Sequence, residues 1–418
     1  MRYSIMINPK KILLLMFSFS SIIANGQWIL QNRELSGPNL YDIKFINRNT
    51  GWVCGSKTIM KTTNGGFNWI QQTTPATNKN LNEIFPIDSN LVYCVGSWET
   101  ILKTTNGGNN WIAIRNGPMY QGQSYLSLYF TSKDTGWIAG EQYIMRTLDG
   151  CQSFDSTYLN HWLYSLHFKN SNTGLGVGAA GGVFKTTNSG INWIQINIVP
   201  EPLGWIYNLS VIDNKYCYFV ERQRSLYRST NFGDTWDSIC SVPYFEGINP
   251  DYCTFSSLNT GWVGGPGRLI KSTDGGYIWR QEYLAYGFQV LTMYFLNDNT
   301  GWIAGGKATI MHTTTGGEPL LNILQTGNDI PSDFSLEQNY PNPFNSMTNV
   351  KFEMLNAGNV KINVYDITGR EVALLVNKYL QAGTYEVRFE SRDSPSGIYF
   401  YRMEANGFTD VKRMILLK

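Results

Sequence analysis

The sequence predicts an all-β protein: a seven-bladed β-propeller followed by a small C-terminal β-sandwich of the immunoglobulin-like kind. Two recurring segments predict the propeller. Gly-Trp-x-x-Gly and Thr-Thr-Asn-Gly-Gly-x-x-Trp return about every 40 residues, a spacing typical of one four-stranded blade per repeat. The sandwich is predicted because this repeat stops near residue 325 and a different series of alternating strands follows.

Residues 1–26 are expected to be a secretory signal peptide that is removed before Gln27. The pair Lys10-Lys11 precedes an apolar run over 12–23, and small residues at 24–26 follow it. The alternative is an N-terminal anchor helix, but the run is too short to span a bilayer comfortably.

Composition excludes some classes of partner. Only 15% of the 418 residues are charged, and loss of the first 26 residues, which carry three basic and no acidic side chains, takes the net charge from +2 to −1. A nucleic-acid partner is therefore not expected. No transmembrane segment is expected after cleavage, because no later apolar stretch is long enough.

Within residues 27–325, each repeat has one order: a period-two strand, a polar turn, Gly-Trp-x-x-Gly, a hairpin, a third strand, and a turn that ends in Trp. In that last turn Asn-Gly permits positive φ, and the preceding Thr can hydrogen-bond free backbone amides. Full copies run over 62–69, 104–111, 186–193, 229–236 and 272–279, with degraded copies over 147–154 and 313–320.

Ring closure is predicted from the two ends of the repeat region. The seventh turn lacks its Trp, whereas Trp28-Ile29-Leu30-Gln31 resembles the segment that follows the other turns. The N-terminal segment is therefore expected to complete the last blade, which removes exposed strand edges. Seven leading strands are expected, starting near Leu40, Leu81, Leu126, Tyr164, Tyr207, Asp251 and Leu291.

Written as Ser/Thr-x-Asp/Asn-x-Gly-x-x-Trp, the turn resembles the Asp-box, or BNR repeat, of sialidase-type and related propellers. Together with Gly-Trp-x-x-Gly, the repeats over 27–325 resemble the seven-bladed propellers of the photosystem II stability/assembly factor family. That resemblance implies the fold and a non-enzymatic, protein-binding role, and it does not imply a photosynthetic one.

Residues 326–332 are predicted to be a linker, and residues 333–418 a second domain. Pro341 and Pro343 remove two backbone donors and predict an extended lead-in. Alternating strands follow, with apolar residues at Val350/Phe352/Met354, Val360/Ile362/Val364, Tyr385/Val387/Phe389, Ile398/Phe400 and Met414/Leu416.

This second domain resembles the type A C-terminal sorting domain of proteins exported by the type IX secretion system of the Bacteroidetes. The resemblance implies passage through the periplasm, recognition by the type IX secretion machinery, and a secreted or outer-surface destination. The residues that match the sorting motif are Tyr340, Pro341, Asn342, Pro343, Phe344, Asn345 and the terminal Lys418.

No catalytic residue, metal site or cofactor is predicted. The six cysteines lack metal-type spacing, and buried thiols are expected at Cys54, Cys94 and Cys217. Glycoside hydrolysis would need two carboxylates within about 10 Å of each other, and only Glu99 and Glu141, on two hairpins, can be paired on one face. A sialidase would also take arginines from separate blades, whereas three arginines here fall in one blade: Arg222, Arg224 and Arg228.

Two functions remain open: an exported propeller that binds a surface protein or glycan, and a surface glycoside hydrolase. The hairpins and the segments before the first strands are expected on one face, opposite the Asn-Gly turns. A basic arc and an aromatic arc there form the candidate binding face, because aromatics beside Arg are enriched at binding hot spots. Its residues are Lys57, Trp98, Tyr125, Tyr143, Trp162, Trp205, Arg222, Arg224, Arg268 and Lys307.

Overall fold

The structure is a computed structural model. It describes residues 28–34, 36–76, 78–120, 122–198, 204–222, 225–241, 251–282, 284, 288–317, 324–327, 330–391 and 395–417. The predicted signal peptide, Arg224 and Lys418 lie outside these residues. The chain divides into two compact units, residues 1–318 and 319–418, and the predicted all-β fold is confirmed in both.

Seven four-stranded antiparallel sheets form the blades of a propeller in the first unit. The strands of each blade follow one another in space as in sequence, except that blade 7 takes its fourth strand from the N-terminal segment. First strands of neighbouring blades pack together and lie nearest the axis. The first strands of blades 1 to 7 are Leu40–Phe45, Leu81–Pro86, Tyr125–Phe130, Leu163–Phe168, Ser210–Ile212, Tyr252–Phe255 and Val290–Phe295.

The second, third and fourth strands of each blade lie successively farther from the axis. The second strands are Gly51–Gly55, Val92–Gly96, Gly136–Gly140, Gly174–Gly178, Tyr216–Val220, Gly261–Gly265 and Gly301–Gly305. The third strands are Thr58–Thr62, Thr100–Thr104, Tyr143–Thr147, Val183–Thr186, Ser225–Ser229, Arg268–Ser272 and Ile310–Thr313. The fourth strands are Ile70–Gln71, Ile112–Arg115, Asp155–Tyr158, Ile194–Gln195, Asp237–Ser241, Arg280–Glu282 and, for blade 7, Ile29–Asn32. Short 3-10 turns occupy Ala179–Gly181 and Gly306–Ala308.

The Asn-Gly segments between third and fourth strands, here called repeat turns, have the predicted internal hydrogen bonds. In blade 1, Thr62 Oγ1 accepts the Gly66 amide at 2.9 Å and Asn64 Oδ1 accepts the Asn68 amide at 3.0 Å. Gly66 has φ of +95°, and a Cβ there would collide with the side chain of Gln31 from the closing strand. The repeat turn therefore favours glycine for backbone conformation and for space.

Side chains on, or just before, the first strands connect successive blades. Each accepts a hydrogen bond from a backbone amide on or beside the first strand of the next blade, so the inner ring is held by bonds between blades as well as by apolar packing. These pairs are Asp42 with Ile84 at 3.1 Å, Glu83 with Leu128 at 2.8 Å, Ser127 with Leu166 at 3.0 Å, Ser165 with Leu209 at 3.2 Å and Asn208 with Cys253 at 2.9 Å.

Aromatic stacking fills the spaces between blades. Trp302 of blade 7 lies parallel to Phe45 of blade 1 with ring centroids 3.6 Å apart, and Trp137 lies on Phe168 of the next blade at 3.5 Å. The Trp that ends a repeat turn meets the same phenylalanine edge-on, as Trp69 does with Phe45 at 5.9 Å. Both Trp positions of the repeat therefore pack on one Phe at each of these contacts.

Ring closure through the N-terminal segment is confirmed. Ile29 pairs with His312 and Leu30 with Met311 in antiparallel register. Trp28 is 4% exposed and meets Phe295 edge-on at 5.9 Å, the same contact that Trp69 makes in blade 1. Trp28 thus supplies the aromatic residue that the seventh repeat turn lacks.

The second unit contains two four-stranded antiparallel sheets that enclose an apolar core. One sheet has the order Leu324–Gly327, Gly383–Glu390, Met347–Met354, Ser335–Leu336. The other has the order Glu371–Leu380, Gly358–Asp366, Gly397–Ala405, Phe408–Leu416.

The structure differs from the sequence prediction at two places in this unit. The strand Leu324–Gly327 pairs with Gly383–Glu390, so the second unit begins before the predicted linker at 326–332. Along Gly397–Ala405, Tyr399 and Tyr401 point into the core while the apolar Ile398 and Phe400 are partly exposed. The charged residues Arg402 and Glu404 alternate with the buried Tyr401 and Met403, so they mark the outward face, which Ile398 and Phe400 share.

The cysteine expectation holds where side chains are described. Cys54, Cys94, Cys151, Cys217 and Cys253 are buried free thiols. The side chain of Cys240 is outside the described set.

Candidate functional site

The hairpins between second and third strands lie at one end of the blades, and the repeat turns lie at the other. In blade 1 the register pairs Leu40 with Gly55 and Gly55 with Thr58, which places the hairpin beside the start of the first strand. Phe45, Gly51 and Thr62 meet at the opposite end, where the repeat turn begins. We call the hairpin end the hairpin face.

An aromatic cluster lies on the hairpin face at blades 4 and 5. Trp162 immediately precedes the first strand of blade 4, Trp205 lies five residues before the first strand of blade 5, and each is 44% exposed. Tyr164 connects them, with ring centroids 6.4 Å from Trp162 and 6.2 Å from Trp205. Tyr207 lies 5.1 Å from Tyr164 and 6.0 Å from Trp205. The aromatic cluster is defined as these four rings together with Arg222.

Backbone hydrogen bonds hold the cluster in place. Trp162 O accepts the Ala179 amide at 3.0 Å, and Trp205 O accepts the Arg222 amide at 3.1 Å. The guanidinium of Arg222 lies 5.9 Å from the Trp205 ring centroid and its Nη1 donates to the Tyr207 hydroxyl at 3.4 Å. The backbone that carries each indole is thus bonded to the hairpin of its own blade, and Arg222 is oriented by two aromatic neighbours.

Burial shifts the pKa values of polar groups in and around the cluster. It raises the pKa of Tyr164 to about 12, an effect to which Tyr207 and Glu141 add. It also raises the pKa of Tyr207, although Arg222 opposes the shift. The pKa of the Asp251 carboxyl is raised by burial and partly restored by Arg222. Both phenols therefore keep their protons at physiological pH and can donate hydrogen bonds.

The remaining aromatic candidates have different surroundings. Trp98 is half-buried on the hairpin of blade 2 and contacts the exposed Tyr120 at 5.0 Å. Tyr143 contacts Tyr158 at 5.2 Å and is largely accessible. Tyr125 is in the core, contrary to its predicted place on an exposed arc, because its ring packs between blades 2 and 3.

The basic candidates lie on different blades. Lys57 and Lys307 are exposed at hairpin tips with φ of +61° and +58°. Arg268 Nη1 donates to Gln281 Oε1 at 3.2 Å within its own blade. Arg224 is outside the described residues. The four described cations are therefore carried by blades 1, 5, 6 and 7.

Sequence reasoning missed Tyr164 and Tyr207, which complete the aromatic cluster. Both were taken for the apolar start of a strand. In blade 4 the pairing shifts between Leu163 and Ser165, so the intervening Tyr164 is released from the regular alternation and joins the cluster. Recurrence of Tyr at the second position of the leading strand, at 41, 164 and 207, was the available signal.

An ionic cluster lies on the first strands of blades 1 and 2. Lys44 Nζ lies 2.8 Å from Asp42 Oδ1 and 3.9 Å from Glu83 Oε1. Burial raises the pKa of Glu83 to about 7 even though Lys44 opposes the shift, whereas the two carboxylates raise the pKa of Lys44 against the effect of burial. Asp42 is buried, the side chains of Lys44 and Glu83 are 28% and 18% exposed, and the three groups link blades 1 and 2.

The repeat-turn end of the axis is filled by aromatic side chains. Phe85 meets Tyr129 at 5.3 Å, and Tyr129 meets His167 at 4.6 Å. Burial lowers the pKa of His167 to about 4, and its Nε2 lies 3.0 Å from Asn214 Oδ1, so this histidine is a neutral packing residue. Among the described residues no group of His, Cys, Asp or Glu could hold a metal ion.

The sorting-motif segment of the second unit is attached to the last strand. Phe344 is buried; its amide donates to Ile415 O at 2.9 Å and its carbonyl accepts the Leu417 amide at 2.8 Å. Asn342 Oδ1 accepts the Ile415 amide at 2.9 Å. Tyr340, in contrast, is 81% exposed. The motif therefore combines buried anchors with one accessible aromatic ring.

Two family models match this chain, one within each unit. The family model described as photosynthesis system II assembly factor YCF48 matches residues 21–127 and 118–247, more than half of the chain. The model described as secretion system C-terminal sorting domain matches residues 338–417. No helix among the described residues has the length and apolarity needed to cross a membrane.

Individual relatives are distant. Vacuolar protein sorting/targeting protein 10 of Chaetomium globosum is 24% identical over 162 residues, which are 38% of this chain and only 10% of that protein. The solved structure of YCF48 bound to D1 peptide is 20% identical with a TM-score of 0.58, over 69% of this chain and 97% of that one. YCF48 from Cyanidioschyzon merolae is 17% identical with a TM-score of 0.56, over 69% and 98% of the two chains.

These solved structures share the fold of the first unit, and the sorting domain indicates type IX secretion to the cell surface or beyond it. The chain therefore belongs, through residues 21–247, to the photosynthesis system II assembly factor YCF48 family, and over residues 338–417 it carries a secretion system C-terminal sorting domain.

Proposed function

We propose that this protein is an exported binding module, without catalytic activity, whose hairpin face captures a partner at the outer cell surface. The half-exposed pair Trp162 and Trp205 is the observation that carries the proposal. Large rigid rings beside an arginine offer contact area at a small entropic cost, which is why such residues dominate binding hot spots. A solved relative described as bound to D1 peptide supports partner binding by this fold.

The hairpin face is favoured over the repeat-turn face because it brings exposed rings together beside an arginine. At the repeat turns Phe67 and Tyr277 are exposed, but no contact with another aromatic ring is described for either. On the hairpin face the aromatic cluster is accessible, and the positive charges of Lys57 and Lys307 are exposed at hairpin tips. Such charges can steer a partner toward the face at a distance.

The test is capture of a partner from outer-surface extract by the full chain and by variants. Trp162→Ala with Trp205→Ala should reduce capture at least about tenfold without lowering the melting temperature by more than a few degrees, because both side chains are half-exposed. Phe67→Ala is the matched control, since Phe67 is 78% exposed on a repeat turn. Equal capture by the double variant and the wild type would remove this face from consideration.

Charge steering is tested separately by Arg222→Glu. Association should slow mainly at low salt, since screening at high salt weakens attraction between separated charges. An association rate unchanged at both salt concentrations would contradict the role proposed for the positive charges.

A further inference from the structure

The geometry points to a neutral glycan as the ligand of the aromatic cluster, an inference that rests on the proposed function of the hairpin face. A pyranose ring presents apolar C–H groups on its faces and hydroxyl groups around its edge. A site for it therefore needs flat apolar surfaces together with both donors and acceptors of hydrogen bonds. The aromatic cluster provides each of these, as the following contacts show.

The flat surfaces are supplied by the two half-exposed indoles. Trp162 and Trp205 flank Tyr164 at 6.4 and 6.2 Å, so the rings extend across two blades. Their carbonyls are hydrogen-bonded to Ala179 and Arg222, and the Ile206 amide donates to Gly178 O at 3.0 Å. Because the backbone is anchored and the rings contact Tyr164 and Tyr207, less conformational freedom is lost when a sugar stacks on them.

The donors are the guanidinium of Arg222 and the phenols of Tyr164 and Tyr207. One hydrogen bond of Arg222, to the Tyr207 hydroxyl, is described, and a guanidinium carries five N–H groups. The phenols remain protonated, because burial raises the pKa of each. Sugar oxygens can accept hydrogen bonds from all three.

The acceptors are carboxylates on the neighbouring blades. Asp251 Oδ1 is shielded from solvent and has no hydrogen-bond partner among the described residues. Arg222 opposes the raised pKa of Asp251, and Glu141 adds to the raised pKa of Tyr164, so both carboxyl groups act on the cluster. The Asp251 side chain is partly exposed and a carboxylate accepts hydrogen bonds through both oxygens, so a ligand hydroxyl can bond to its accessible edge.

The balance of charge selects a neutral sugar over an acidic ligand. Among the described residues, the charged groups that act on the cluster are one guanidinium, Arg222, and two carboxylates, Glu141 and Asp251. A uronic acid or an acidic peptide would bring a further negative charge toward those carboxylates. A neutral sugar can hydrogen-bond to both signs of charge without repulsion.

Affinity electrophoresis of the full chain tests the inference, with laminarin and mannan as neutral polysaccharides and polygalacturonate as an acidic one. We expect a neutral polysaccharide to retard the wild type at low and high salt. Trp162→Ala with Trp205→Ala should weaken retardation at least about tenfold. Asp251→Asn, which keeps an acceptor oxygen, should weaken it less than Asp251→Ala. Phe67→Ala should migrate as the wild type does.

The outcomes separate this inference from the proposed function. Retardation by polygalacturonate alone would overturn the neutral-glycan inference, and so would capture of a protein but of no polysaccharide. In either case the hairpin face would remain a binding site if the Trp variants abolish the observed binding. Neutral-glycan retardation that survives both Trp substitutions would overturn the assignment to this cluster. Release of reducing ends from laminarin or mannan would show a hydrolase and overturn the proposal of a non-catalytic module. If the double variant unfolds, the single substitutions and Arg222→Gln, checked by thermal melting, provide the same comparison.

Discussion

At the residue scale, one recurring position, on or just before the first strand of a blade, performs the same task with different chemistry. Ser127, Ser165 and Asn208 accept an amide hydrogen bond from the next blade with neutral side chains, whereas Asp42 and Glu83 do so with carboxylates. Two largely desolvated carboxyl groups at adjacent blades need a counter-charge, which Lys44 supplies. Blades 1 and 2 are therefore joined by a contact that depends on protonation.

The pH dependence of stability should reveal Glu83. Its pKa rises from 4.5 to about 7 on folding, so the folded protein keeps a proton that the unfolded chain releases. The free energy of unfolding should then fall as pH increases from about 4.5 to about 7. The groups facing Glu83 are Lys44, Asp42 and Ser127, with the Leu128 amide. Glu83→Gln stays neutral and should flatten this slope.

Thermal melting between pH 4.5 and 8 measures that slope. Glu99→Gln, a change of the same kind on a hairpin of the same blade, is the control and should keep the wild-type dependence. Equal slopes for Glu83→Gln and the wild type would contradict a raised pKa at this carboxyl.

The sequence predicts a side chain's role correctly where that role follows from the repeat. The prediction is incomplete where the role depends on an irregularity in a strand. The Trp positions and the hydrogen bonds of the repeat turns follow from spacing. The burial of Tyr125 and the presence of Tyr164 in the aromatic cluster follow a shift of strand pairing that recurs at the start of the first strands of blades 1, 2, 3, 4 and 7. Alternation of apolar and polar residues alone does not place such a shift, because bulges are tolerated by many residue types.

At the element scale, the closing strand is the part of the propeller most sensitive to one substitution. Trp28→Ala should destabilise the protein by about 3–5 kcal/mol, because it leaves a cavity beside Phe295 and weakens the attachment of Ile29–Asn32. Ile29→Ala is the neighbouring control; Ile29 is 58% exposed, so its loss should change stability by only about 0.5 kcal/mol.

Denaturant unfolding compares the two variants. Similar midpoints for Trp28→Ala and Ile29→Ala would mean that the N-terminal strand contributes little to closure, and the register assigned to blade 7 would need revision.

Element boundaries were predicted where apolar and polar residues alternate, and less well elsewhere. The first strand of blade 5 begins at Ser210, later than the expected Tyr207, since Asn208 bonds through its side chain to the amide and carbonyl of Cys253. The strand Glu371–Leu380 was not predicted at all. Its central run of consecutive apolar residues lacks the period-two pattern that identifies a half-buried strand.

At the scale of the whole molecule, the sorting domain should be separable from the propeller. Deletion of residues 319–418 removes the complete second unit, including Leu324–Gly327, and should leave a folded propeller in the periplasm. Cell fractionation and resistance to protease measure the two parts of this expectation. Ile367→Ala, at an exposed site of the second unit, is the control and should reach the surface normally. Surface delivery of the truncated chain would contradict the role of the sorting domain.

Closure of the ring through Trp28 and Ile29–Asn32 also orders events in time. The pairing of Ile29 with His312 joins two ends of the propeller sequence, and contacts between such distant positions form late in folding. In a chain synthesised from its N-terminus, residues 28–32 stay unpaired until the strand Ile310–Thr313 has also been made. During that interval the protein is an open arc with two unsatisfied strand edges, and only a chain that has passed residue 313 can become a ring.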